Sequence, residues 1–119
     1  MDAAGRPLQP CIIWADQRAV PQAEHLAQRL GEECVFKIIG HRITATLKGP
    51  KLVWVREHEL EVLAQTGKFL HIKDCFACQM TGQFVTGHSD AGGMNLFDLD
   101  RGAWSEGILP AIELDQAIC

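Results

Sequence analysis

The sequence has 119 residues, enough for one domain or less, and its formal net charge of −4 comes without any basic run, which disfavours a nucleic-acid-binding protein. Apolar residues make up 47% and charged residues 22%, so the chain is not globally disordered. No apolar stretch approaches the roughly 18 residues needed to span a bilayer, and no signal peptide is visible at the start. We therefore expect a cytoplasmic protein. In that reducing compartment its five cysteines would be free thiols.

The first predicted elements are a strand followed by a helix. Residues 11–14 form a short apolar run after Pro10, which is typical of a buried strand. Residues 18–30 carry alanines and leucines at helical spacing. Pro21 suits the first turn of this helix and Gly31 suits its C-terminal cap. A strand that runs straight into a helix is half of an α/β unit.

The middle of the chain predicts one further long helix. Residues 32–39 form a second, shorter apolar segment. Gly49 and Pro50 then mark a break between elements. Residues 51–65 place leucines and valines on one face and charged residues elsewhere, as an amphipathic helix does.

The last third of the chain predicts short elements. Residues 74–80 form a short helix with an apolar face that includes Phe76 and Met80. A helical turn follows, with Ser89 or Asp90 as its cap. Residues 95–99 then alternate apolar and polar side chains, as a short strand does.

The last predicted element is a helix over residues 106–114, capped by Ser105 and broken near Pro110. The predicted fold class is therefore α/β, mostly helical with two or three short strands. Two or three short strands cannot satisfy their own edges. We therefore expect the sheet to be incomplete in this chain and to be completed by strands that lie elsewhere.

Five sequence blocks, in order, resemble the FGGY family of carbohydrate kinases and within it the xylulokinase-like members. The family patterns are W-x-D-x-R-A, K-L-x-W-[LV]-x-E-[NH], D-Y-[IL]-x-x-x-L-T-G, T-D-x-S-[DN]-A-S-x-x-x-L-F-D and a following W-S. The matching residues here are 13–19 (IWADQRA), 51–58 (KLVWVREH), 74–82 (DCFACQMTG), 86–98 (TGHSDAGGMNLFD) and 104–105 (WS). One block alone is a weak signal, whereas five in this order are specific.

The chain departs from these patterns at four positions. Leu60 stands near the place where the family usually has a proline, and Cys75 replaces an aromatic residue. Gly87 replaces the acid of the T-D pair and Gly92 replaces a serine. Such changes are expected in a diverged member, or in one released from some of the family's constraints.

The resemblance implies an actin-like, ribonuclease-H-like two-domain fold, of which residues 1–119 would be part of the N-terminal, sugar-binding domain. ATP and Mg²⁺ would bind between the domains of the parent enzyme, which transfers the γ-phosphoryl group of ATP to a sugar or polyol hydroxyl. The family's opening phosphate-binding strand would precede Met1, and its catalytic aspartate and ATP-binding C-terminal domain would follow Cys119. We therefore assign no catalytic or metal-binding residue here and expect this chain alone to bind no cofactor.

The resemblance also implies partners and a binding site. The partners would be a sugar or polyol and the remainder of the kinase polypeptide, with no nucleic acid and no membrane. Trp14, Asp16 and Arg18 would bind substrate, with the indole against the apolar face of the sugar, Asp16 toward its hydroxyls and Arg18 in support. The alternative is a core tryptophan beside an Asp16–Arg18 ion pair that caps the following helix.

Two other functions stay open at this point. The chain could be a non-catalytic binding module or a self-associating remnant whose unpaired edges a partner covers. Cys75 and Cys78 form a C-x-x-C pair that could serve zinc or redox chemistry, although no second ligand pair accompanies them. Asp90, Asp98 and Asp100 are interpreted as cap or turn residues rather than as a cation site. Trp54 and Trp104 are interpreted as core anchors and Gly92–Gly93 as a turn.

Overall fold

The structure, a computed structural model, describes residues 1–115 and residue 117 and is mostly helical. Its α-helices are α1 Val20–Leu30, α2 Glu32–Ile39, α3 Lys48–His58, α4 Leu60–Gln65, α5 Ile72–Thr81 and α6 His88–Gly92. A two-stranded hairpin follows, with β1 Phe97–Asp98 and β2 Ala103–Trp104, and a 3₁₀ helix spans Leu109–Ile112. The thiols of Cys11, Cys34, Cys75 and Cys78 are free, and Cys119 lies outside the described residues.

At α1, proline and glycine lie where the sequence predicts, and a glycine also ends α5. Pro21 lies in the first turn of α1, where a missing N–H costs no helical hydrogen bond. Gly31 ends α1 with a φ of 78°, and Gly82 ends α5 with a φ of 71°. Both angles lie in the region that residues with a side chain rarely adopt.

The strand predicted at residues 11–14 is wrong. These residues form a loop that enters a turn, in which the Asp16 amide donates to the Ile13 carbonyl at 3.1 Å. No strand of the described chain lies beside them, because the only described sheet has the order β1–β2. The carbonyls of Ile13 and Trp14 instead accept hydrogen bonds from the Lys51 ammonium.

The predicted break at Gly49 and Pro50 is also wrong, as is the single helix over residues 51–65. Helix α3 begins at Lys48, so Pro50 falls in the first helical turn, where proline is tolerated. The helical path then breaks at Glu59, whose φ and ψ of −128° and 52° separate α3 from α4.

The side-chain caps predicted in the last third do not form. Gly87 is the N-cap of α6 and has no capping side chain, and Ser89 and Asp90 lie inside that helix. Ser105 caps no helix; its carbonyl accepts the amides of Ile108 and Leu109 in the turn that enters the 3₁₀ helix.

The hairpin joins the last third of the chain to α2. Phe97 faces Trp104 and Asp98 faces Ala103 in an antiparallel pair. The Leu99 amide donates to the Ile38 carbonyl at 3.1 Å, which fixes the hairpin against the end of α2. This short pair is the incomplete sheet that the sequence predicts.

The core lies where α1, α2 and α3 meet the segment before and after the hairpin. Its buried members are Ala23, Leu26, Val35, Ile39, Ile43, Leu52, Val53, Met94, Leu96, Ile108, Leu109 and Ile112. Helix α3 packs against α1, and the loop at residues 13–18 therefore lies beside α3. Among the described residues, no helix has both the length and the apolar character needed to cross a membrane.

Candidate functional site

The turn before α1 brings the three predicted site residues together. Trp14 is 75% exposed, so its indole is a surface group and not the core tryptophan of the alternative interpretation. Asp16 is half-buried and Arg18 is exposed on the same short segment. The placement gives one apolar ring, one carboxylate and one guanidinium within five residues.

Asp16 and Arg18 form a close ion pair. The Arg18 Nη2 lies 2.8 Å from the Asp16 Oδ2, and the Arg18 backbone amide donates to the Asp16 Oδ1 at 2.9 Å. The hydrogen bond from the Arg18 side chain is the main cause that lowers the pKa of Asp16, and the same bond raises the pKa of Arg18. Asp16 is therefore an ionised acceptor, and it does not cap α1, whose N-cap is Ala19.

Trp54 supports this ion pair from α3. The Arg18 guanidinium carbon lies 4.6 Å from the centroid of the Trp54 ring, which is a cation–π contact. The other neighbour of the indole is the His58 ring, stacked at 4.8 Å. Trp54 is half-buried, so it is a partner of Arg18 more than a core anchor.

Lys51 is a residue that the sequence interpretation missed. It is only 4% exposed, and its ammonium donates to the carbonyls of Ile13, Trp14 and Thr46 at 2.6, 3.4 and 3.3 Å. Burial lowers the pKa of Lys51. Its burial could have been predicted from spacing, because Lys51 stands four residues before the buried Val55 on the apolar side of α3.

A shallow cleft of about 270 Å³ adjoins the turn. Gln17 of the turn is one lining residue, and Thr44 and Thr46 of the loop before α3 are two others. The two threonine hydroxyls share a hydrogen bond of 2.7 Å. The lining also includes Glu24 and apolar residues such as Ala23 of α1. The cleft thus combines polar and charged residues with apolar ones.

A second polar cluster lies where α5 meets α6. Asp74 is 1% exposed, pairs with the Lys73 ammonium and accepts the Thr86 hydroxyl at 2.8 Å. Lys73 also reaches the Asp90 carboxylate at 3.1 Å. Two blocks of the family pattern, residues 74–82 and 86–98, therefore meet here, and the sequence did not predict that they would.

His71 and Lys48 flank this cluster. Burial lowers the pKa of His71, and the nearby Lys48 charge lowers it further. The His71 Nε2 is buried and has no hydrogen-bond partner among the described residues. Burial is also the main cause that lowers the pKa of Lys48. Burial therefore disfavours positive charge on both side chains, although the nearby Asp74 and Asp90 carboxylates favour it.

The other proposed sites gain no support from the geometry. In the described part of the chain, no group of three or more His, Cys, Asp or Glu residues could hold a metal ion. Cys75 and Cys78 lie inside α5, with Cys78 buried, rather than at a helix start after a strand. That placement does not suit a thioredoxin-like redox pair.

Comparison with known proteins identifies the relatives of this chain. The sequence model of the FGGY family of carbohydrate kinases, N-terminal domain, matches residues 1–118. A xylulose kinase of Escherichia coli (strain K12) is 35% identical over 116 residues, which is 98% of this chain and 24% of the relative. A xylulose kinase of Bacillus subtilis (strain 168) is 34% identical over 119 residues, which is 100% of this chain and 24% of the relative.

Solved structures of kinases share the fold. A xyloylose kinase from Brucella ovis matches with a TM-score of 0.89 and 31% identity, over 98% of this chain and 24% of its own. A xylulose kinase from Rhodospirillum rubrum matches with a TM-score of 0.92 over 99% of this chain and 24% of its own; at 22% identity it supports the fold alone. The chain spans about a quarter of the length of the curated relatives it matches. The expected fold class, part of an actin-like kinase with an incomplete sheet, is confirmed.

Proposed function

This chain belongs to the FGGY family of carbohydrate kinases, and we propose that it supplies part of the sugar-binding domain of an ATP-dependent enzyme that phosphorylates a sugar or polyol hydroxyl. The observation that carries the proposal is the exposed Trp14 indole on one turn with the ionised Asp16. The remainder of a kinase polypeptide is the second proposed partner. A cytoplasmic location stays a prediction.

The turn suits sugar binding more than proton transfer. An exposed indole face can stack on the C–H side of a sugar ring or chain, and a carboxylate accepts hydrogen bonds from hydroxyls. Arg18 lowers the pKa of Asp16, and a general base works best when its pKa is near the operating pH. We therefore give Asp16 the role of hydroxyl acceptor, Trp14 that of stacking surface and Arg18 that of support.

ATP and Mg²⁺ are implied by the family. The glycine pair Gly92–Gly93 is the nearest approach to a phosphate loop. A Cβ at Gly93 would meet the carbonyl oxygens of Asp90 and Ser89 at 3.3 and 3.9 Å. Carbonyl oxygens repel phosphate, which needs amide N–H groups. These residues do not fit the triphosphate, so we derive no step through ATP or the metal.

The probe for a first test is xylulose, because the similar curated proteins include xylulose kinases. We expect saturation-transfer NMR with the purified chain to show contact between xylulose and the Trp14 ring. The substitutions W14A and D16N should each weaken xylulose binding at least about fivefold, since each removes one of few specific contacts.

Met80→Ala is the matched control, because Met80 is exposed at 80% and lies on α5 away from the turn. The control should leave sugar contact unchanged. Saturable binding that survives the double variant W14A/D16N would place the sugar elsewhere.

Coding sequence on either side of this segment provides an independent test, because a kinase needs an acid–Gly–Thr strand upstream and a glycine-rich segment downstream.

A further inference from the structure

The Lys51 side chain is a buried cation whose hydrogen bonds all go to backbone carbonyls. Its three N–H donors face three acceptors, the carbonyls of Ile13, Trp14 and Thr46. No carboxylate forms an ion pair or hydrogen bond with Lys51 among the described residues. Lys51 is therefore placed to bind polypeptide backbone rather than to neutralise a charge.

The three carbonyls belong to two separate segments. Ile13 and Trp14 lie in the turn before α1, and Thr46 lies in the loop before α3. Both segments contribute residues to the 270 Å³ cleft, Gln17 from the first and Thr46 from the second. One ammonium group thus joins two segments that line the cleft.

This arrangement carries a cost that an apolar side chain would avoid. Burial disfavours the charged form of Lys51 and lowers its pKa, and the Arg18 charge lowers it too, whereas Asp16 and Cys11 raise it. A methionine would fill similar volume without that cost. It would leave the three carbonyls without their donor, and the two segments would lose their common anchor.

We propose that Lys51 is a positioning residue that fixes the Trp14–Asp16 turn against the loop at residues 44–46. This role rests on the proposed sugar site, which it deepens. Trp14 needs such an anchor because its ring is exposed and makes no ring or cation contact among the described residues. Apart from Lys51, the turn is held within itself by the Asp16 amide bond to Ile13 and the Asp16–Arg18 pair, and against α3 by the Arg18–Trp54 contact.

The test uses the full 119-residue chain labelled with 5-fluorotryptophan and no ligand. Its three tryptophans give three ¹⁹F resonances, which W14F, W54F and W104F assign. We expect K51M to shift or broaden the Trp14 resonance and K51R to restore it in part, because arginine keeps the charge and the donors. The Trp104 resonance should stay in place in both.

Val53→Ala is the matched control. Val53 lies on the same helix, is 3% exposed and contacts the core instead of the turn. V53A should lower the melting temperature and leave the Trp14 resonance unchanged. An unchanged Trp14 resonance in K51M, or an equal change in V53A and K51M, overturns the proposal. If K51M does not fold, K51Q and K51R carry the same comparison.

Xylulose affinity separates this inference from the proposed function. We expect K51M to lower the affinity about tenfold, as misplacement of a binding group does, and V53A to leave it nearly unchanged. A native chain that binds no sugar contradicts the proposed function, while the ligand-free fluorine spectra still decide the role of Lys51. Native-like affinity in K51M overturns the positioning role.

Discussion

Arg18 is held from two directions, and this decides how the site can work. Asp16 binds its guanidinium edge at 2.8 Å, and the Trp54 ring covers its face at 4.6 Å. A guanidinium so constrained has few donors left for a substrate. In the proposed sugar site, Arg18 would therefore act through Asp16, whose charge and orientation it fixes.

Asp74 is the buried carboxylate with the clearest energetic role. Burial raises its pKa, but the hydrogen bonds from Lys73 and Thr86 outweigh burial, and the net pKa is lowered. A carboxylate in such a setting favours the folded state only while it is ionised. The bond to Thr86 also links α5 to the segment that leads into α6.

We predict that Asp74→Asn lowers the free energy of unfolding by about 1–3 kcal/mol, because the Thr86 hydroxyl and the Lys73 ammonium lose a buried acceptor. Since Asp74 has a lower pKa folded than unfolded, its stabilisation is complete above about pH 4 and fades as the pH falls toward the folded pKa. Urea unfolding measured from pH 7 to pH 3 should show that the free energy of unfolding falls less steeply with pH for D74N than for the native chain. Exposed Asp100→Asn is the control, and equal pH profiles for D74N and the native chain would contradict the prediction.

At the scale of elements, sequence patterns predicted helices with a clear end better than they predicted short apolar runs. Residues 32–39 are apolar enough for a strand but form α2. Gly31 and Gly40 bound the segment with positive φ, and Val35 and Ile39, four residues apart, both enter the core. Over so few residues tertiary packing decides between helix and strand, and α2 packs against both α1 and β1.

The sequence alone could place the three proposed site residues on one segment, but it could not predict the residues that support them. Trp14, Asp16 and Arg18 are close in sequence, so one local pattern contains all three. Lys51 and Trp54 reach them across more than thirty positions, from α3. Contacts of that separation depend on how α3 packs against α1, which no local pattern contains.

Substituting alanine for glycine at different positions can distinguish the stability cost of a strained backbone conformation from the cost of a steric clash. Gly82 has a φ of 71° and open space around it, whereas a Cβ on Gly67 would meet the Ala3 backbone at 2.7 Å. We predict that G82A costs about 1 kcal/mol from conformation alone. G67A should cost about 1–3 kcal/mol, because the first residues must shift and strain their hydrogen bonds to residues 67 and 68.

Thermal and urea unfolding monitored by circular dichroism would measure both costs. Gly107→Ala is the control, since its Cβ would meet only the Ser105 hydroxyl at 3.9 Å and its φ is not positive. It should change stability by less than about 0.5 kcal/mol. A G67A chain as stable as the control would show that the Ala3 contact is not formed in solution.

At the scale of the whole molecule, α5 leaves an apolar face uncovered. Ile72, Phe76 and Met80 are spaced by four residues and are 62, 61 and 80% exposed, while Asp74 and Cys78 face inward. The sequence predicted the face with Phe76 and Met80 to be apolar, and the structure places it at the surface. A contiguous apolar stripe of this kind favours association over a solvated monomer.

We predict that the purified chain associates in a concentration-dependent way and that the double variant F76Q/M80Q abolishes this. Both side chains are exposed, so the melting temperature should hardly change, in keeping with surface substitutions that alter stability by less than about 0.5 kcal/mol. Sedimentation velocity would measure the association over a hundredfold range of concentration, which is on the order needed to populate weak dimers.

Leu60→Gln is the matched control, because Leu60 is 66% exposed but lies on α4 outside the stripe. A native chain that sediments as a monomer throughout, or a double variant that associates as the native chain does, would assign no role to this face in association.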